Sequence, residues 1–85
     1  MPNREYLKSK IHKKIIRFFT ENQGSIDTPR GVSAWVNESL RDVRVALEDL
    51  VKAGYLKAHR TSSTVGYSSA LNDRDIAKLS EYLKT

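Results

Sequence analysis

Residues 39–54 read SLRDVRVALEDLVKAG, and no other stretch restricts the fold as closely. Ser39 followed three residues later by Asp42 is a capping box, in which each side chain satisfies a backbone N–H left without a partner at a helix start. Val43, Ala46, Leu47 and Leu50 then return at three- and four-residue spacings that gather on one helix face, and Gly54 supplies the positive φ at which such helices end. Arg41, Arg44, Val45 and Glu48 fall about half a turn away. The spacing predicts a helix over 39–53 that buries one face and presents the other.

The remaining chain divides around that helix. Asn3 caps a first helix expected over 4–22, with Leu7, Ile11, Ile15, Phe18 and Phe19 as its apolar stripe and Gln23-Gly24 as its end. Lys10, Lys13, Lys14 and Arg17 lie on its far side, as a solvated face or as contacts to phosphate or an acidic protein. Ile26 is β-branched, and Ser25-Ile26-Asp27 is suited to one edge rung of a later sheet. Thr28 followed by Pro29 reads as an N-cap and first helical position of a short helix reaching about Val36. On that helix Val32, Trp35 and Val36 share a side, which makes Trp35 a partly buried core anchor or, if exposed, part of a dimer or hetero-interface. Asn37-Glu38 leaves only a tight turn before the cap at Ser39. After Gly54, residues 55–61 have extended character, the polar run through Gly66 forms a loop, and 67–71 return with Tyr67, Ser69 and Leu71 on one face. Asn72 or Asp73 caps a last helix to about Lys84, with Ile76, Leu79, Tyr82 and Leu83 on its apolar side.

Eighty-five residues support one domain, 1–85, with a modest core. The absence of cysteine excludes disulfides, thiolate metal sites and cysteine nucleophiles, and fits a reducing, cytoplasmic setting. Nothing reaches the roughly 18 consecutive apolar residues of a membrane span, so no membrane partner is expected. His12 and His59 stand without metal-ligand spacing, and no Gly-rich phosphate loop or Ser/His/Asp arrangement is present. No cofactor, metal or enzymatic activity is expected. A net charge of +5 favours a polyanionic partner, although the charge is uneven. Residues 1–30 carry seven bases and three acids, 31–54 three and four, and 55–85 five and three.

The order helix, short strand, helix, helix, hairpin, helix, with Ser39, Val43, Ala46-Leu47, Leu50 and Gly54 in register, resembles the winged helix-turn-helix regulators of MarR/ArsR type. The resemblance covers nearly the whole chain; it departs where Asn37 and Glu38 replace the family's small glycine and apolar residue, with Leu40 packing in the latter's place. It implies a mainly α fold with a small β-hairpin: a three-helix core, a two- or three-stranded wing sheet and a C-terminal helix. It also implies double-stranded DNA as partner and transcriptional regulation as function, with helix 39–53 in the major groove and wing 59–66 on the backbone or minor groove. Winged helices also serve as protein-interaction modules, which is the alternative.

Candidate DNA contacts follow. Arg41 and Arg44 suit guanine edges or phosphate, or else form a surface pair with Glu48. Ser39 and Leu40 at the helix start, and Val45 on the presented face, are further candidates. Glu48 either repels phosphate, accepts from a cytosine amine, or is neutralised by Arg44. Arg60 with Thr61, Ser62, Ser63 and Thr64 suits the sugar-phosphate backbone, or is an ordinary hairpin loop. Thr28 and Arg30 are further phosphate candidates at a helix start. A homodimer through the first or last helix would present two reading helices on successive DNA turns.

Overall fold

The computed structural model describes residues 9–83, with side chains through residue 80. Within them the elements run α1 Lys10–Glu21, α2 Pro29–Val36, α3 Leu40–Lys52, β1 Leu56–Arg60, β2 Val65–Ser69 and α4 Asp73–Leu83. This is the expected order.

The third helix forms for the reasons its sequence carries. Ser39 Oγ accepts from the Asp42 N–H at 3.2 Å, and Val43, Ala46, Leu47 and Leu50 are all buried. At the other end Gly54 adopts φ +90°, the Gly54 N–H donates to Val51 O at 3.1 Å, and the Tyr55 N–H donates to Leu50 O at 2.9 Å. That is a Schellman stop, and the buried pair Tyr55 and Leu50 is the apolar contact that accompanies it. The helix therefore ends by turning the chain into β1.

The first helix packs against α2, α3, β2 and α4. Its described span is Lys10–Glu21, with Ser9 extended before it and the Lys13 N–H donating to Ser9 O at 3.0 Å; the start expected at residue 4 lies outside the described residues. The expected cap Asn3 and the apolar Leu7 lie outside the described residues. Ile11 is partly buried and Ile15, Phe18 and Phe19 are buried as expected, but so is Ile16, which widens the buried face. A helix placed between four neighbours needs more apolar surface than one facing a single partner.

The second helix starts as expected, with Thr28 Oγ1 accepting from the Gly31 N–H at 3.3 Å and Pro29 in the first turn. Its Trp35 departs from expectation: it is 74% exposed, not a core anchor. Val32 and Val36 centre the buried face, and at 100° per residue Trp35 sits about 80° to one side of that centre. Its ring lies across Phe18 instead, with centroids 5.9 Å apart. Asn37 turns the chain in the left-handed region, φ +57°, which asparagine tolerates. Ser33 Oγ donates to Glu38 O at 2.6 Å, and Glu38 pairs with Lys14 Nζ at 2.5 Å, so the turn departing from the family pattern is held by polar bonds. Leu40 is half-buried.

The strands β1 and β2 pair antiparallel from Leu56↔Ser69 to Arg60↔Val65. The return strand starts at Val65, two residues earlier than expected, and Gly66 belongs to it rather than to the loop. The cause lies in another segment. A Cβ on Gly66 would come 2.7 Å from Ile26 Cγ2, so the missing side chain lets residues 26–27 run alongside the strand. There the Asp27 N–H donates to Tyr67 O at 2.9 Å and the Tyr67 N–H to Asp27 O at 2.8 Å, forming the expected extra rung. Asp27 supplies this rung through its backbone, while Ile26 remains 61% exposed. The loop thus shrinks to 61–64, closed by the Thr61 N–H on Thr64 O at 2.9 Å and the Thr64 N–H on Thr61 Oγ1 at 3.1 Å.

The last helix is capped by Asn72, whose Oδ1 accepts from the Asp75 N–H at 2.8 Å. Leu79 is buried and Ile76 half-buried; the side chains expected at Tyr82 and Leu83, and Lys84 itself, lie outside what is described. Among the described residues no helix is long and apolar enough to cross a membrane.

Candidate nucleic-acid interface

The start of α2, the outer face of α3 and the wing loop converge. Thr28, Arg30, Arg44, Arg60, Thr61, Ser63 and Thr64, with Pro29 and Val65, line one open groove of about 590 Å³. Residues distant in sequence thus meet in a concavity that, among the described residues, carries three guanidinium groups and four hydroxyls and no carboxylate. Each is placed by an element already described. Thr28 is the α2 cap, Arg30 lies in the first turn of α2, Arg44 projects from the exposed side of α3, and Arg60 ends β1. Cations and hydroxyls held around one groove are the donor set that phosphate and base edges accept from.

The remaining predicted residues lie outside that lining. Arg41 and Val45 are exposed on α3, Ser62 is exposed at the wing tip, Ser39 is engaged as the helix cap, and Leu40 is half-buried.

Glu48 occupies the seam between helix and wing. Its Oε1 accepts from Arg60 Nη2 at 2.6 Å, and its Oε2 accepts from the Tyr67 hydroxyl. The expected partner was Arg44, one turn away; across the helix–wing seam Glu48 instead meets both a cation and a phenol. The two bonds, Tyr67 first and Arg60 second, hold the Glu48 carboxyl below its ordinary range. Arg60 is raised in turn by its bond to Glu48. Burial, then the Glu48 bond, pushes the Tyr67 phenol up to about 12. The sequence placed Tyr67 on a strand face but held no signal for this contact, since nineteen residues separate Tyr67 from Glu48.

The histidines are structural neighbours of polar groups. His12 Nε2 lies 3.1 Å from Asp49 Oδ2, joining α1 to α3, and His59 Nε2 lies 2.8 Å from Ser68 Oγ across the hairpin. Among the described residues no group of three or more His, Asp or Glu side chains is arranged to hold a metal.

A second, chemically different surface lies between α1 and α2. Trp35, Phe18 and Val36, with Lys14, Arg17 and Glu21 around them, form a shallow depression of about 270 Å³.

With this geometry in place, comparison with solved structures decides the fold. The chain superposes at TM-score 0.70 and 16% identity on the homodimeric winged helix-turn-helix DNA-binding domain of Mb0332 from Mycobacterium bovis, a possible ArsR-family transcriptional regulator, covering 94% of this chain and 69% of that one. The fold is a winged helix-turn-helix. A variant of ZitR from Lactococcus lactis superposes at TM-score 0.65 and 19% identity, over 89% of this chain and 51% of its own, so this chain spans about half the length of that protein. At these identities the likeness is one of fold. Neither a protein-family model nor a curated protein matches the sequence.

Proposed function

We propose that this winged helix binds double-stranded DNA and regulates transcription, with α3 in the major groove and the wing on the backbone or the adjacent minor groove. One observation carries the proposal: among the described residues Arg30, Arg44 and Arg60 line a single groove with the hydroxyls of Thr28, Thr61, Ser63 and Thr64, and no carboxylate lines it. Arg44, with exposed Arg41 beside it, serves guanine edges, and Val45 offers an apolar contact for a thymine methyl. The α2 start, through the Thr28 hydroxyl and the Arg30 side chain and N–H, and the wing serve phosphate. Such contacts suit a non-enzymatic regulator in the cytoplasm. A homodimer through α1 or α4, as the homodimeric neighbour suggests, would set two α3 helices about 34–36 Å apart.

Titration of isotope-labelled protein with mixed-sequence duplex at low and raised salt tests this. Amide shifts should concentrate at residues 28–30, 39–48 and 60–65 and diminish as salt rises. Shifts confined to α1 and α4, or none, would end the proposal. Sedimentation of the free protein and of a palindromic-duplex complex reports whether two chains bind together.

The exposure of Trp35 over Phe18 favours a second function, docking of a protein partner on the α1–α2 side. It requires that Trp35→Ala abolish partner capture while leaving duplex binding intact.

A further inference from the structure

We propose that Tyr67 and Glu48 form a latch that positions the wing arginine, Arg60, so that DNA affinity depends on a buried phenol that never touches DNA. The inference rests on the DNA-binding proposal above and names how its groove is organised.

The latch is anchored at its far end. Tyr67 is buried, and its backbone is bonded on one side to Asp27 in both directions while its strand pairs on the other with β1. A residue clamped between two chain segments has little freedom, so its hydroxyl is presented to α3 from a fixed point. Glu48 projects from the middle of α3, which is capped at both ends. The carboxylate is thus held by Tyr67 on Oε2 and receives Arg60 Nη2 on Oε1 at 2.6 Å.

Arg60 is the exposed end. Its side chain is 57% exposed and lines the groove, and its bond to Glu48 runs through Nη2. A guanidinium carries five N–H donors in a rigid fork, so donors remain for a phosphate while Nη2 stays on the carboxylate. An arginine at a loop entrance ordinarily loses rotamer freedom when it binds. Here much of that ordering is complete before the ligand arrives. The Glu48 charge is at the same time compensated by Arg60, which removes the repulsion expected of a bare carboxylate near a duplex. The lowered carboxyl of Glu48 agrees with an acceptor bonded on both oxygens.

Tyr67→Phe separates this role from simple electrostatics, because it deletes one hydroxyl and no charge. Duplex affinity of the parent, Tyr67→Phe, Glu48→Gln, Arg60→Ala and the double variant Tyr67→Phe/Arg60→Ala is measured across a salt series. Tyr67→Phe should weaken binding roughly 3–10-fold, the range set by re-ordering one long side chain. The double variant should bind no more weakly than Arg60→Ala alone. Glu48→Gln should also weaken binding although it removes a negative charge; because Glu48 is partly exposed, this variant keeps the test open if Tyr67→Phe does not fold. In the free protein the Arg60 side-chain N–H signals should show greater mobility in Tyr67→Phe than in the parent.

The outcomes are distinct. Tyr67→Phe binding like the parent, or weakening binding equally with and without Arg60, overturns the latch, as does tighter binding by Glu48→Gln. If Arg60→Ala and Arg44→Ala both bind like the parent, the groove itself is not the DNA site and both proposals fall together.

Discussion

The two faces of α3 obey different rules. Its inner face, Val43, Ala46, Leu47 and Leu50, is apolar and buried, and every contact there serves the packing of α1, α2 and the hairpin around one core. Its outer face, Arg41, Arg44, Val45 and Glu48, is polar but for Val45, and what each residue does there depends on neighbours from other elements. Position on the inner face is dictated by periodicity, whereas position on the outer face acquires meaning only beside the wing and the start of α2. Stability and binding should therefore separate around the helix axis, face by face.

The largest expected effect is on the inner face. Leu47, fully buried, contributes a large apolar side chain at the centre of the core, and Leu47→Ala should lower unfolding free energy by about 2–5 kcal/mol. Urea titration measures it; an unchanged midpoint would mean the faces have been inverted. The outer face should answer oppositely. Arg44→Ala should leave the melting temperature within a degree or two but cost about 1–3 kcal/mol of binding to a preferred duplex and flatten discrimination between duplexes, as loss of a base-edge contact does.

Gly54 connects the two faces, because its φ of +90° turns the helix end into the strand that carries Arg60. Gly54→Val should destabilise by about 1–2 kcal/mol, since a β-branched residue resists that conformation. Part of the loss should appear as weaker binding at temperatures well below the melt, which thermal melting and duplex titration together resolve. The smallest effect is titration of Glu48. Its folded carboxyl is held below the unfolded one by Tyr67 and Arg60, so its contribution to stability is present above the unfolded pKa and is lost as pH falls through the folded value. Melting temperatures taken downward from neutral pH should show a shallower acid loss in Glu48→Gln than in the parent. On the alkaline side the sign reverses. Tyr67, raised from 10.0 to about 12, contributes below its unfolded value and loses that contribution as pH climbs toward the folded one, an effect Tyr67→Phe removes.

Local chemistry in the sequence determined the helices around the core: Thr28-Pro29 and Ser39 as caps, the Val43 to Leu50 stripe, Gly54 as the stop and Asn72 or Asp73 as the final cap. Each acts through bonds or spacings within a few residues, where a linear reading has all the partners in view. The arginines and hydroxyls of the groove were also legible as candidates, since their chemistry is intrinsic. Tertiary structure alone decided that Arg30, Arg44 and Arg60 line one concavity, that Glu48 turns to Arg60 and Tyr67 rather than Arg44, that Gly66 joins the strand because Ile26 needs its space, and that Trp35 lies outside on Phe18. The physical reason is common to all four: a side chain's exposure and partner are set by which elements close over it, and those elements come from segments whose approach no local periodicity encodes.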